Sequence, residues 1–188
     1  MRKIIVYIAA SADGFIARPD GDVAWLDRPD AAGDYGMKAF YKTIDTVVMG
    51  RKTWSVGKRL GQASFPGVTN YVFSRTPRKS ALVKIVGGPV GPFAQRLRRA
   101  KGKNVWLVGG AQLIAGFLDA AEVDELVIHV IPVLIGAGIP LVAPRRRSIE
   151  LRLLSTRTYK DGGVRLRYAV ARVRKPTSSG ANRKRGSR

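Results

Sequence analysis

Val105-Trp106-Leu107-Val108-Gly109-Gly110-Ala111-Gln112-Leu113-Ile114-Ala115-Gly116-Phe117-Leu118 is the most informative stretch of this 188-residue chain. Four apolar residues rich in branched and aromatic side chains predict a short buried strand over 105–108. The glycine pair breaks it, and 111–118 resumes as a helix. Two glycines at that junction let backbone approach a ligand with no Cβ between them. The helix that follows aims free N–H groups and its positive dipole end at the same spot, a seat for pyrophosphate. A tight strand-to-helix turn serving packing alone would read the same way. The third glycine of a standard dinucleotide fingerprint is replaced by Ala111-Gln112-Leu113, so an ordinary Rossmann unit is not indicated.

Outward from this unit, strand and helix patterns alternate. Lys3–Ala10 is a continuous apolar run, consistent with a central strand. Tyr35, Ala39, Phe40 and Ile44 recur at helical spacing over 34–44, with Gly33-Asp34 as its cap. Strands are expected at 46–49, 68–73, 82–86 and 125–131, and helices at 51–60 and 93–101, the latter with Arg96, Arg98 and Arg99 outside. A Gly/Pro-rich connection over 132–140 leads to a closing antiparallel pair, 149–156 with 164–173. The fold class is therefore α/β, a sheet with helices on both faces that the terminal hairpin makes mixed. One domain over 1–173 is expected, followed by a disordered basic tail, 174–188, which has no large apolar side chain.

Composition narrows the chemistry. Hydrophobic residues make up 45% and charged residues 25%, ordinary globular values. The absence of cysteine removes disulfide scaffolds, zinc ribbons and thiol nucleophiles, and one histidine, His129, leaves too few ligands for a metal cage. The basic, then apolar, opening stops at Asp13-Gly14, too early for a secretory segment, and no apolar run is long enough to span a bilayer. A cytoplasmic protein is expected. Lys and Arg number 34 against 13 Asp and Glu, a net charge of +21. Between Asp45 and Asp119 there is no carboxylate, yet thirteen basic residues. Such a field draws anions, whether nucleic acid, membrane surface or a phosphorylated small molecule.

Two further strand ends carry anion-binding chemistry. In Val48-Met49-Gly50-Arg51-Lys52-Thr53-Trp54, Gly50 allows close approach, Arg51 and Lys52 add charge, and Thr53 can cap a helix while bonding phosphate. In Phe73-Ser74-Arg75-Thr76, a hydroxyl beside a guanidinium suits a phosphomonoester. Three such strand ends together suggest a dinucleotide laid across one edge of the sheet.

These segments, with Ile8-Ala9-Ala10-Ser11-Ala12-Asp13-Gly14-Phe15-Ile16-Ala17 and Ile131-Pro132-Val133-Leu134-Ile135-Gly136-Ala137-Gly138-Ile139-Pro140-Leu141, resemble the dihydrofolate-reductase-like superfamily. The chain is most similar to the branch holding the reductase (C-terminal) domain of the bifunctional riboflavin-biosynthesis deaminase-reductase, over about residues 2–173. The resemblance implies a three-layer fold with a mixed, mostly parallel sheet and an antiparallel C-terminal strand. It also implies an NADPH-dependent reductase. It places Ala10 and Ile16 beside the nicotinamide, and Gly50, Arg51, Lys52 and Thr53 on the pyrophosphate and adenosine side. Ser74 and Arg75 match the adenosine 2′-phosphate site, and Gly109, Gly110, Ala111, Gln112 and Leu113 match the pyrophosphate site. In the family the glycine pair is often joined by a cis peptide. Relatives of this branch commonly pair as homodimers, and the apolar 130–142 region could provide that surface.

Reduction of a C=N or C=O group also needs a proton. A carboxylate with a raised pKa in an apolar cleft can organise it. Asp34 is the candidate acid and substrate ligand, its sixteen-residue spacing to Gly50 matching the acidic residue of dihydrofolate reductases, although an ordinary helix cap fits it as well. Ile8 and Trp25 are candidate substrate contacts, and Asp13 reads first as a turn residue. His129 reads as a strand residue with a satisfied ring rather than a base. Tyr35-Gly36-Met37-Lys38 after Asp34, and Val127-Ile128-His129 where a hydroxyl usually supports the acid, depart from folate enzymes. A stand-alone reductase without the zinc deaminase half is expected. The substrate expected is a pterin- or pyrimidine-like heterocycle, with the ribosylamino-uracil intermediate of riboflavin synthesis as one form of it. The alternatives are a basic nucleic-acid-binding protein and a nucleotide-binding member of the family without catalysis.

Overall fold

The computed structural model describes residues 1–28, 33–76, 79–145 and 148–171. Ten strands and four α-helices follow in chain order: β1 (Ile4–Ser11), β2 (Phe15–Ala17), α1 (Met37–Tyr41), β3 (Ile44–Gly50), α2 (Arg51–Arg59), β4 (Thr69–Phe73), β5 (Lys84–Val86), α3 (Val90–Arg99), β6 (Asn104–Gly109), α4 (Ala111–Asp119), β7 (Glu125–Ile131), β8 (Ile139–Pro140), β9 (Leu151–Thr158) and β10 (Val164–Val170). Eight strands form one sheet in the order β5-β4-β3-β6-β1-β7-β10-β9. The six from β5 to β7 are parallel, and β10 runs antiparallel between β7 and β9. This is the mixed, mostly parallel sheet expected from the sequence.

Burial explains the strand patterns. β1 is central and apolar on both faces, as parallel strands covered by helices must be. Ile4 and Val6 pack with Leu107, Phe93, Ile114 and Phe117 under α3 and α4. Ile5 and Tyr7 pack on the opposite face with Val47, Trp106 and Trp54, where the Tyr7 ring stacks on Phe40 of α1 at 4.2 Å. Parallel strands also share direction, so the C-terminal ends of β1, β3, β4 and β6 emerge on one rim.

Three expectations need correction. The helix expected over 34–44 is one short turn, Met37–Tyr41, because Tyr35 (φ 50°) and Gly36 (φ 86°) are left-handed and block an earlier start. Arg98, expected outside, is 8% exposed: it binds Glu122 and Asp124 at 2.6 Å each and donates to the carbonyls of Arg2 and Glu122. Helical periodicity sees only an amphipathic stripe and cannot know that two carboxylates from the α4–β7 turn lie beneath one edge of it. The connection over 132–140 holds β8, which pairs with β2 in a two-stranded sheet too short to read from sequence. The expected disordered tail lies outside the described residues.

Candidate active site

Pairing of the central strands assembles the rim. Met49 of β3 is in register with Gly109 of β6, and Gly50 with Phe73 of β4. Gly50, Gly109-Gly110 and Ser74 therefore end three adjacent strands at one level. A Cβ on Gly50 would lie 3.7 Å from Gly109 O and from Gly110 N, and one on Gly110 would lie 3.2 Å from Thr53 Oγ1. The two loops thus form a cradle floored by backbone. The Gly109–Gly110 peptide is cis.

Two nine-residue helices start at this cradle. Gly50 precedes α2 and Gly110 precedes α4; neither helix has a side-chain cap or an acidic residue in its first turn. Their leading N–H groups have no intrahelical partner, and both positive dipole ends converge there. Arg51 and Lys52 are exposed on the first turn of α2, Thr53 is half-buried, and Gln112 is exposed on α4. Ala111 and Leu113 instead face the core, Ala111 fully and Leu113 half-buried. Farther along, the Ser74 hydroxyl bonds backbone within its own turn, accepting from Thr76 N–H and donating to Thr76 O, which leaves Arg75 as the exposed group there.

The first strand departs from expectation. Ala10 is 2% exposed and, by the period-2 pleat, shares the face of Ile8, which packs on the α3–α4 side. Ile8 and Asp34 are therefore not brought together, because α1 covers the opposite face. It is Ala9, half-buried and in register with His129 of β7, that turns toward α1. A one-residue shift reverses the face of a strand residue, and segment matching cannot detect it. Ile16 sits half-buried on β2, where the β2–β8 ribbon flanks the end of β1. Asp13 ties that ribbon down, accepting from Ser11 Oγ at 2.5 Å, from Ile135 N and from Gly136 N; these bonds hold its carboxyl below the usual range.

Asp34 also differs from the expected raised-pKa acid. It is exposed, accepts hydrogen bonds from the N–H groups of Lys38 and Gly36, and its pKa is lowered, first by the Lys38 bond. It caps α1 and is anionic at neutral pH. Next to it lies an aromatic group that the sequence did not reveal. Tyr7 and Tyr159 donate their hydroxyls to Tyr35 O at 2.9 and 3.0 Å, and the Tyr35 hydroxyl bonds Asp161, which also pairs with Arg28. Burial, then Tyr159, raise the Tyr7 pKa to about 12. His129 lies among these rings, 4% exposed, with neither ring nitrogen hydrogen-bonded, contrary to the satisfied ring expected. Burial, then Arg165 across the β7–β10 pair, lower its pKa to about 4. Trp25, in a 3-10 turn, is half-buried, and its Nε1 is likewise buried without a partner. Residues 7, 35, 129 and 159 lie far apart in the chain, and strand register together with the loop before α1 joins them.

Among the described residues no helix is long and apolar enough to cross a membrane, and no group of three acidic, histidine or cysteine side chains could hold a metal. The family model of the RibD C-terminal domain matches residues 2–164. The uncharacterized protein YwjB of Bacillus subtilis (strain 168) is 39% identical over 173 residues, covering 90% of this chain and 99% of that protein. Its uncharacterized compatriot YyaP is 32% identical over 180 residues, covering 89% and 94%. Among solved structures, a Shewanella sp. PV-4 protein named for riboflavin biosynthesis superposes with TM-score 0.79 at 29% identity, over 90% of this chain and 99% of that one. Dihydrofolate reductase from Enterococcus faecalis, complexed with NADP(H), superposes with TM-score 0.68 at 16% identity, over 89% and 96%, which supports the fold alone.

Proposed function

Since the chain belongs to the RibD C-terminal domain family, we propose that it is an NADPH-dependent reductase of a pterin- or pyrimidine-like heterocycle. The observation that carries this reading is the cradle between Gly50 and Gly109-Gly110, onto which two uncapped helix starts converge. Its chemistry fits a pyrophosphate: backbone N–H donors and dipole ends face a space that side chains at the glycines would fill. Gly50, Arg51, Lys52 and Thr53 would hold one side of that group and Gly109, Gly110 and Gln112 the other. Arg75, exposed on the neighbouring strand end, would pair with the 2′-phosphate.

Bound there, NADPH would supply a hydride from its nicotinamide, and the protein's task is orientation and charge. The β2–β8 ribbon, latched by Asp13, carries Ile16, which would cover the nicotinamide end. Asp34 is anionic and cannot store the proton, which the reduced ring would take from solvent water. Its carboxylate keeps lone pairs beyond the Gly36 and Lys38 N–H groups, and these suit the N–H groups of a heterocycle. It therefore acts as a substrate ligand, and Tyr7, with its pKa raised to about 12, keeps its proton at neutral pH.

Titration of the protein with NADPH and NADH, followed by nicotinamide fluorescence, tests the reading. NADPH is expected to bind more tightly than NADH, and Arg75→Ala to weaken NADPH about tenfold, near the ~1.4 kcal/mol of one charge-assisted contact, with NADH unchanged. Failure to bind either nucleotide, with salt-sensitive RNA binding instead, would overturn it.

A further inference from the structure

His129 is the chain's single histidine, and it is placed where a histidine is costly to keep. Its ring is 4% exposed, and both nitrogens are buried without a hydrogen-bond partner. Buried polar atoms are ordinarily paired, because an unpaired one carries its full desolvation penalty. The neighbours could have paired it and do not. Tyr7, Tyr35 and Tyr159 surround the ring with centroids at 4.7, 5.9 and 6.2 Å. The Tyr7 and Tyr159 hydroxyls go to the Tyr35 carbonyl, and the Tyr35 hydroxyl goes to Asp161. Arg165, opposite His129 in register, carries only donors, and its positive charge disfavours protonation of the ring. The imidazole is consequently neutral, with one donor and one acceptor unused.

The surroundings indicate what could use them. β7 lies beside β1, and β1 beside β6 with its glycine pair, so the ring stands two strands from the cradle on the face that α1 covers. Aromatic walls suit a flat ring, and an unpaired donor and acceptor suit one with N–H or ring-nitrogen edges. Two walls belong to the sheet and its hairpin. The third, Tyr35, belongs to the loop before α1 and is held at φ 50° by its contacts with Asp161, Tyr7 and Tyr159. It is the wall that can give way without breaking the sheet.

We infer that His129 determines substrate specificity: a flat nitrogen heterocycle displaces Tyr35 and hydrogen-bonds one nitrogen of the His129 ring. This rests on the reductase reading above and names the side chain that selects its substrate. Asp34, at the exposed start of α1, would bind the solvent side of the same ring, and His129 its buried side.

Because the chain has one histidine, protein labelled with 15N in the imidazole gives a single pair of ring resonances. These are followed while 7,8-dihydropterin or 5,6-diaminouracil is added without nucleotide, with binding measured in parallel by calorimetry. The resonances are expected to shift with the binding isotherm of at least one compound. His129→Phe, which keeps the ring volume, is expected to bind that compound about tenfold less tightly, one buried hydrogen bond's worth, while NADPH affinity is unchanged. His129→Gln, which restores a donor and an acceptor, is expected to recover part of the loss. Binding without a shift, binding by His129→Phe equal to the native protein's, or binding of neither compound overturns the inference. Should His129→Phe fail to fold, the wild-type shift and the Gln variant decide the matter. NADPH titration of the same samples separates the two readings: absent NADPH binding with a shifted imidazole removes the reductase and leaves the heterocycle site.

Discussion

At the scale of single residues, His129 also governs how stability responds to acid. Its pKa falls from 6.5 in the unfolded chain to about 4 in the native protein, so the unfolded state binds its proton first as pH drops. Stability should decline between these two values, since the proton-rich unfolded state is favoured throughout the window. The loss approaches about 3 kcal/mol once both forms are protonated. Carboxylates with lowered pKa, Asp13, Asp34, Glu125 and Asp161, lose their contributions at lower pH still. Thermal unfolding between about pH 7.5 and 5.5, one unit either side of the free-histidine value, should therefore be flatter in His129→Phe than in the native chain. An unchanged slope would show that the ring titrates normally.

Elements are locked together by charged side chains that sequence patterns placed on the surface. Arg98 leaves α3 to bind Glu122 and Asp124 in the turn between α4 and β7 and to cap the carbonyl of Arg2. Replacing it with Met keeps the aliphatic stem and strands both carboxylates against the protein. We expect a loss on the order of 3 kcal/mol in urea unfolding, because removing one partner leaves buried charge uncompensated. An exposed arginine, as its helical position suggests, would cost less than about 0.5 kcal/mol. Long strands and helices are legible because their apolar runs and stripes are local: the run over 125–131 matches β7 to the residue. α1 is shorter than its pattern because left-handed Tyr35 and Gly36 cut a helix whose apolar spacing continues regardless. β2 and β8 leave no signal in the sequence because two or three residues carry no periodicity.

Across the whole molecule, the carboxylates are largely committed to internal pairs: Asp45 to Arg2, Glu125 to Lys3 and Arg167, Asp161 to Arg28, Asp119 to Arg145. Among the described residues the basic excess is then expressed outward, most densely on the half of the sheet that carries Gly50 and Arg75, where no acid interrupts the sequence from 46 to 118. NADPH affinity should weaken several-fold as salt rises from about 0.05 to 0.5 M, since the screening length contracts below the spacing of surface charges. NADH, with fewer charges, should weaken less. A protein built to hold a polynucleotide would instead lose affinity steeply, in proportion to each phosphate contacted. Parallel titrations of NADPH, NADH and a single-stranded RNA against salt check this.

Sequence by itself determined the mixed sheet, the order of its long elements and the three strand ends whose glycine, hydroxyl and basic residues meet on one rim. Those properties are local, or follow from parallel strands sharing a direction. Tertiary structure alone decided which face each residue of β1 presents, that Asp34 is an anionic helix cap, and that His129 sits unpaired among Tyr7, Tyr35 and Tyr159. Pleat parity, solvent exposure and the partners of a buried nitrogen depend on strand register and on loops closing from distant parts of the chain, and no local pattern of residues encodes them.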